Sequence, residues 1–383
     1  MVSFVKNRRL FIVSSVYFLI MFGCLYHFGA NAEGEASKYI YDANAVLTGG
    51  KFNNDIFSVF YFSYSLLVSF FIKYGIGFEW LAFLQIVISY ISALALYRLA
   101  EERNGNSFIA LCCFTIYLFC YPVQKWNLFI YTDGIHTSLV VIGLYYFFKL
   151  LDRKSLKSTL IFSLMLLLIL TTRPVGIIFF ISCYLTLIFY SAFARKKKQA
   201  ILLSLAGIGL LIVLLNSPFR YFINPDSLRR MEVICQVPTA ERPGLYTEYN
   251  TTGLGGAYGV IKNEIGVIRF FKLGLLKLRF FFGLVRPYYS TYNNLFLCLY
   301  LLLYPFAIAG LFYRNRAFSS LRFFCICFTV ITAAGIFVTC DEWSGRFIAP
   351  VFPFIIIPAS GGIFNLYKYY INSKAKSKTT QQT

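Results

Sequence analysis

The fold is decided by residues 158–193, which read STLIFSLMLLLILTTRPVGIIFFISCYLTLIFYSAF. This stretch contains one charged residue, Arg173, followed by Pro174. A membrane span takes about 20 apolar residues, and a proline favours a break between helices. The stretch therefore predicts two consecutive membrane helices, 158–172 and 174–193, joined at TTRPVG.

The composition of the whole chain agrees with a membrane protein. Of its 383 residues, 58% are apolar and 14% are charged, whereas soluble domains carry about 25% charged residues. These values exclude disorder, a coiled coil and most soluble enzymes. The net charge of +20 would indicate nucleic acid in a soluble protein, but cytoplasmic loops of membrane proteins also collect Lys and Arg.

Apolar runs along the chain predict an all-α polytopic membrane protein with about ten transmembrane helices, in a single transmembrane domain. The runs lie at 10–29, 78–97, 108–121, 130–151, 158–172, 174–193, 200–217, 293–313, 323–340 and 347–367. A further apolar run, 56–74, is interpreted as a re-entrant or interfacial helix.

The basic residues favour this arrangement. With the N-terminus in the cytoplasm, the inner segments are 1–9, 98–107, 149–157, 194–199, 314–322 and 368–383. They hold 20 of the 36 basic residues and three of the 16 acids, as expected for short cytoplasmic loops. If 56–74 also spanned, the basic run 195–199 and the C-terminus would face the side opposite to the N-terminus. We therefore expect both termini in the cytoplasm, and the short inner loops favour a bacterial plasma membrane.

Two large outer loops remain. The first, 30–77, is expected to carry juxtamembrane helices and contains several acids. The second, 218–292, ends in the segment 261–286, where basic and apolar residues alternate as in an amphipathic helix lying on a membrane. The polar tail 371–383 is predicted to be disordered on the cytoplasmic side.

The acids of the first outer loop are candidates for chemistry. Glu33 and Glu35 follow the first span, and a helix over 36–48 would bring Glu35, Tyr39 and Asp42 near one face. The pair Gly49-Gly50 would end that helix. A carboxylate at the membrane surface can act as a general base or hold a metal. Alternatively, Glu35 is a solvated loop acid.

Ionisable groups inside a bilayer are costly, so those within later spans are also candidates. Asp133 and His136 open the span that begins YTDGIHTS, where Asp133 could face a cavity or cap the helix. Arg173 could bind phosphate through paired hydrogen bonds, or anchor the protein at the membrane interface. Before the last span, CDEWSGRF contains Asp341, Glu342 and Arg346, which could be functional or form an exposed ion pair.

In their order along the chain, these segments resemble the GT-C superfamily of integral-membrane glycosyltransferases, which includes the protein O-mannosyltransferases and the aminoarabinose transferase of lipid A. The resemblance covers nearly the whole chain. It rests on Glu35, Tyr39 and Gly49-Gly50 in the first outer loop, on YTDGIHTS, on TTRPVG, and on GRFIAPVFPFIIIPAS at 345–360. Many relatives have Asp where this chain has Glu35, and the first loop has Glu33-Gly34-Glu35 in place of two adjacent acids.

The resemblance implies an inverting transferase that moves a sugar from a polyprenyl-phosphate donor to a glycan, lipid or protein acceptor on the outer face of the membrane. Glu35 would be the general base, and Asp133 would be a second catalytic carboxylate that assists or orients. The donor phosphate would meet Arg173, Arg346 and Lys51 or Lys73. The residues expected to bind substrate are Glu33, Tyr39, Asp42, His136, Arg173, Asp341, Glu342 and Arg346. The sequence assigns no cofactor with certainty, although the first-loop acids could hold a divalent cation.

Two other functions stay open. A lipid-linked oligosaccharide polymerase would use outer-loop arginines, for which Arg229, Arg230 and Arg242 are available. A polytopic transporter or flippase would be expected to contain inverted repeats, and the sequence contains no convincing repeat. Nucleic acid is not an expected partner, because most of the surplus positive charge is assigned to the inner loops.

Overall fold

The computed structural model describes residues 8–52, 58–152, 155–193, 198, 201–207, 233, 258–286, 288–312, 319–339 and 345–380. Within these ranges every regular element is a helix, apart from an isolated β-bridge between Asn31 and Phe129. The numbered α-helices are α1 Arg8–Phe28, α2 Ala36–Thr48, α3 Phe62–Lys73, α4 Phe78–Asn104, α5 Ser107–Leu118, α6 Tyr121–Gln124, α7 Thr132–Asp152, α8 Leu156–Thr172, α9 Gly176–Phe193, α10 Val267–Gly283, α11 Thr291–Leu301, α12 Leu303–Leu311, α13 Ser319–Val338 and α14 Phe352–Thr380.

The described helices confirm a multi-pass helical protein, but they do not reach the predicted ten spans. Six are long and apolar enough to cross a membrane, namely α1, α4, α7, Thr291–Leu311, α13 and Ala349–Ile371. A seventh results if Ser107–Leu118 and Tyr121–Leu128, which are bent by 52°, form one span. The predicted spans 158–172 and 174–193 are shorter apolar helices, Leu156–Thr172 and Gly176–Ala192. The predicted span 200–217 lies largely outside the described residues.

The chain forms two compact units. The first comprises 1–180, 302–325 and 349–383, and the second comprises 181–301 and 326–348. The first unit contains α1 to α8 together with α12 and most of the last predicted span, so it holds most of the candidate residues. The second contains α10 and α11.

One end of the first unit collects loops that the sequence assigns to the cytoplasm. Arg103, at the end of α4, forms a 2.5 Å salt bridge with Asp152, at the end of α7. At the start of α5, the ring of Phe108 stacks on Tyr367 of α14 at 5.2 Å. These contacts place 98–107 and the last turn of α7 at the same end, as the charge pattern requires. Assignment of this end to the cytoplasm stays a prediction.

The opposite end of the first unit carries the first outer loop. Asn31 donates its backbone N–H to the carbonyl of Leu128 at 2.8 Å and accepts from the N–H of Ile130 at 2.8 Å. A buried apolar cluster lies next to this bridge and includes Ala36, Tyr39, Tyr64, Leu81 and Ile130. The loop is therefore packed onto the helix ends.

Both ends of α3 lie at this same end of the unit. Ser63, in its first turn, meets Thr171 at the end of α8 with their hydroxyls 2.6 Å apart. Phe71, near its end, shares the buried cluster with Leu81 of the first turn of α4. A helix whose two ends stay at one side does not cross the unit, which is the geometry expected of an interfacial segment.

A buried polar network fixes the bent segment between α5 and α7. Gln124 accepts from Tyr17 at 2.9 Å and from Asn127 at 2.9 Å. Gln85 of α4 donates to the carbonyls of Asn127 and Phe129 at 3.0 and 2.9 Å. Non-helical backbone at membrane depth needs such partners, because no water reaches it. The network therefore holds the residues that lead into α7.

Glycines allow α12 and α14 to touch within the first unit. A methyl group added at Gly310 would collide with the carbonyl of Pro358, and one added at Gly362 would collide with that of Phe306. Small residues at such contacts let helix backbones approach closely, as is common in membrane helix pairs.

In the second unit, α10 occupies most of the segment predicted to be amphipathic. Its apolar residues Ile268, Phe271 and Leu275 are exposed, whereas Lys277 is 2% exposed. The Lys277 ammonium donates to the carbonyl of Thr339 at 2.5 Å. An exposed apolar face is expected of a helix that contacts lipid.

Candidate functional site

Glu35 stands immediately before α2, in a turn that Gly34 makes possible. Gly34 has φ +63°, a left-handed conformation that glycine adopts at little cost. Both Glu33 and Glu35 are exposed. The Tyr131 hydroxyl lies on the turn, accepting from the backbone N–H of Glu35 at 3.2 Å and donating to the carbonyl of Glu33 at 3.0 Å. The Glu35 backbone is thus held while its carboxylate stays accessible.

Tyr39 connects Glu35 to the start of α7. Because it follows Glu35 by one helical turn, its hydroxyl lies 3.5 Å from the Glu35 carboxylate, and it lies 3.4 Å from the Thr132 hydroxyl. Tyr39 is 1% exposed. Burial raises the pKa of its phenol, and the nearby Tyr61 and Glu35 add to that rise. The phenol is therefore neutral at physiological pH and can donate a hydrogen bond to Glu35.

Asp42 lies on the same helix but has a different environment. Helix α2 and its end at Gly49, which has φ +67°, agree with the sequence prediction. Asp42 is fully buried, and its carboxylate accepts from the Ser58 hydroxyl at 3.0 Å. This contact fastens α2 to the segment that precedes α3. The predicted role of Asp42 in substrate binding stays a prediction.

Asp133 and Arg173 form a buried ion pair. Asp133 lies in the first turn of α7, and Arg173 lies in extended backbone between α8 and α9. Their side chains are 1% and 4% exposed, and the Arg173 guanidinium donates to the Asp133 carboxylate. An interfacial anchor would extend towards the lipid headgroups, so the burial of Arg173 argues against that alternative. The pair ties the start of α7 to the break after α8.

His136 follows Asp133 by one turn and is completely buried. Neither of its ring nitrogens has a hydrogen-bond partner among the described residues, and the same holds for Asp133 Oδ2 and Thr137 Oγ1. Spacings of three and four residues place these side chains on one side of α7. Buried polar atoms without a hydrogen-bond partner among the described residues therefore continue from Asp133 to His136 and Thr137 along α7.

The structure brings several predicted residues together at one end of the first unit. The connected set consists of Glu35, Tyr39, Tyr131, Thr132, Asp133 and Arg173, and we call it the Glu35 site. Exposed Glu35 lies at its outer side, and the buried ion pair lies at its inner side. The exposed Glu35 carboxylate, which an acceptor can reach, is therefore held next to polar groups that are fixed by the fold.

The remaining predicted residues cannot be placed at this site. Arg346 is 8% exposed and belongs to the second unit. Asp341 and Glu342 lie outside the described residues, as do Arg229, Arg230 and Arg242 of the alternative polymerase. Lys51 and Lys73 are exposed in the first unit.

The described part of the chain contains no group of three or more His, Cys, Asp or Glu side chains placed to hold a metal ion. A divalent cation at Glu33 and Glu35 would therefore need donors from the substrate or from water, because Mg²⁺ and Ca²⁺ take at least six oxygen ligands.

Two residues of the site were not predicted, Tyr131 and Thr132. They precede Asp133 directly in the chain and lie in the segment YTDGIHTS that the sequence marks as a candidate. The sequence does not indicate what either residue does. With aromatic residues making up 20% of the sequence, one tyrosine carries no signal by itself. Only the fold reveals that Tyr131 holds the turn before α2.

Comparison of the chain with protein-family models, with curated proteins and with solved structures finds no match.

Proposed function

We propose that this protein is a membrane glycosyltransferase of the GT-C type. It transfers a sugar from a polyprenyl-phosphate donor to a glycan, lipid or protein acceptor on the outer face of the membrane. The observation that carries the proposal is the exposed Glu35 carboxylate, fixed through its backbone by Tyr131 and placed beside the neutral phenol of Tyr39.

In this proposal Glu35 removes the proton from the acceptor hydroxyl. The acceptor oxygen then bonds to the anomeric carbon of the donor from the face opposite the phosphate, so that the configuration inverts. The bond between this carbon and the phosphate oxygen breaks, and polyprenyl phosphate leaves with the electron pair. General-base catalysis of this kind contributes about 10²–10⁴-fold to the rate. The exposure of Glu35 suits it to meet an acceptor.

Cations for the donor phosphate come from several places in the chain. The charge of Arg173 is balanced by Asp133, so we assign Arg173 to the positioning of α7 as well as to the predicted phosphate contact. Exposed Lys51 and Lys73 supply further positive charge in the first outer loop. The reaction would take place at the outer surface of a bacterial plasma membrane, with both termini in the cytoplasm.

A transporter or flippase is the second candidate function. It is favoured by the buried Asp133, Arg173 and His136, because ionisable groups inside membrane helices frequently mark transport pathways. A transporter would not need Glu35 at the surface. Removal of the Glu35 carboxylate therefore separates the two functions.

The test uses purified protein reconstituted in liposomes, with a radiolabelled sugar on polyprenyl phosphate and membrane extract as the source of acceptor. We expect transfer by the wild type and a loss of about 10²–10⁴-fold in Glu35→Gln. The matched control is Glu79→Gln, which changes another exposed acid of the first unit, in the first turn of α4, and should retain activity. Full activity in Glu35→Gln would remove this residue as the base, and movement of the intact donor across the bilayer without transfer would favour a flippase.

A further inference from the structure

One turn of α7 buries more polar groups than the described residues satisfy. Asp133, His136 and Thr137 are 1%, 0% and 1% exposed. Asp133 Oδ2, both ring nitrogens of His136 and Thr137 Oγ1 have no hydrogen-bond partner among the described residues. Buried polar atoms are almost always hydrogen-bonded, so four orphaned atoms on one side of one turn call for a partner.

The charges of this turn define the chemistry of that partner. The charge of Asp133 is neutralised by Arg173. An inorganic anion is disfavoured because the Asp133 carboxylate would repel it, and a cation is disfavoured because it would have to compete with the Arg173 guanidinium for that carboxylate. The available groups are a carboxylate oxygen that accepts, an imidazole that donates and accepts, and a hydroxyl that does both. This combination matches neutral hydroxyl groups, which also donate and accept.

The turn is continuous with the Glu35 site. Thr132, whose hydroxyl lies 3.4 Å from that of Tyr39, precedes Asp133 directly. From Thr132 to Thr137 the helix rises by five residues at 1.5 Å each, or about 7.5 Å in total. Polar groups therefore extend from the exposed Glu35 into the first unit along one stretch of α7.

We infer that Asp133, His136 and Thr137 form a subsite for the hydroxyl groups of the transferred sugar ring. The inference rests on the proposed function, and it adds which residues would hold the sugar. Asp133 Oδ2 accepts a hydrogen bond from one sugar hydroxyl. The His136 imidazole and the Thr137 hydroxyl form hydrogen bonds with the neighbouring hydroxyls of the same ring. A neutral ring is bound there, and the phosphate stays outside this turn.

His136 itself can report the binding, because the chain has two histidines. The other, His27, is an exposed residue at the end of α1, and His27→Gln leaves one imidazole in the protein. The full chain labelled with ¹⁵N-histidine in lipid nanodiscs would be titrated with a panel of free monosaccharides (hexoses, N-acetylhexosamines, deoxyhexoses and pentoses). The same protein would be titrated with polyprenyl phosphate that carries no sugar.

We expect a saturable change in the His136 ring ¹⁵N shifts with at least one sugar and no comparable change with the bare lipid phosphate. In the same background, Thr137→Val should weaken the apparent sugar affinity at least fivefold. Ser138→Ala is the matched control and should leave the affinity unchanged, because the Ser138 hydroxyl is already bonded to the carbonyl of Gly134 at 2.9 Å.

The inference is overturned if no sugar in the panel moves the His136 signal, if bare polyprenyl phosphate moves it equally, or if Thr137→Val and Ser138→Ala behave alike. The measurement needs no turnover, so it is separable from the proposed function. Sugar transfer with an unchanged imidazole signal would remove the subsite and leave the transferase. A saturable sugar response without transfer would keep the subsite and remove the transferase.

Discussion

The Asp133–Arg173 pair offers a quantitative test of the Glu35 site. Replacing Asp133 with Leu leaves the Arg173 guanidinium buried without its carboxylate, and Arg173→Met leaves the carboxylate without its guanidinium. With side chains 1% and 4% exposed, solvent cannot replace the lost partner. Each single substitution should therefore lower the free energy of unfolding by about 3–5 kcal/mol.

The double substitution should behave differently from the sum of the two. When both charges are replaced by apolar groups of similar volume, no charge is left unpaired, and stability is typically unchanged or higher by about 1–4 kcal/mol. The free energies of the Asp133→Leu and Arg173→Met variants should thus be strongly non-additive. Unfolding in mixed detergent micelles, followed by circular dichroism, gives all four free energies of the cycle.

The other described salt bridge of the first unit is the internal control. Arg103 and Asp152 lie 2.5 Å apart at the opposite end of α7, but the Asp152 side chain is 44% exposed. The Arg103 side chain is 10% exposed, but it also donates to the carbonyl of Phe148 at 3.1 Å, so Asp152→Leu should cost only about 1 kcal/mol. If Asp133→Leu costs no more than Asp152→Leu, the Asp133–Arg173 pair is not buried and the inner side of the Glu35 site is described wrongly.

Two further predictions concern the turn at Gly34 and the topology of the chain in the membrane. Gly34 and Gly29 have φ +63° and +68°, but a methyl group at Gly34 would lie 2.7 Å from the Tyr131 hydroxyl, whereas one at Gly29 meets nothing within 4 Å. Gly29→Ala should lower the free energy of unfolding by about 1–2 kcal/mol, because alanine is strained in a left-handed backbone. Gly34→Ala should lower it by about 1–2 kcal/mol more, because the Tyr131 hydrogen bonds are also lost, and it should reduce sugar transfer. Equal unfolding free energies and equal activities of the two variants would refute the role of Tyr131. In a cysteine-free background, Asn44→Cys should react with an impermeant thiol reagent in intact cells and Glu102→Cys only after permeabilisation; the reverse pattern would invert the topology.

The sequence predicted those features that depend on local chemistry. Apolar length identified the long helices α1, α4 and α7, and the glycine pair identified the end of α2. It could not predict the number of spans, because α8 has 17 residues, or about 26 Å at 1.5 Å per residue, which is shorter than a hydrocarbon core of about 30 Å. Whether such a helix crosses depends on its tilt and its neighbours.

The site was predictable to the extent that its residues were rare. A carboxylate or guanidinium in an apolar chain stands out, so Glu35, Asp133 and Arg173 were candidates from the sequence alone. Their pairing was not, since Asp133 and Arg173 are 40 residues apart and nothing local joins them. The contact between Asp42 and Ser58 was equally hidden, because it depends on how α2 packs against the segment before α3.

The different exposures of the two carboxylates divide the roles that the resemblance gave to them. A general base must reach the acceptor, and Glu35 is exposed, whereas Asp133 is buried and bonded to Arg173. Asp133 is therefore better suited to hold α7 and the sugar than to take the acceptor proton. If so, Glu35→Gln should lower kcat while leaving the unfolding free energy nearly unchanged, because Glu35 is exposed and substitutions of exposed side chains usually change stability little. Asp133→Leu should lower stability and activity together, so that the ratio of the two effects, and not the loss of activity alone, identifies the base.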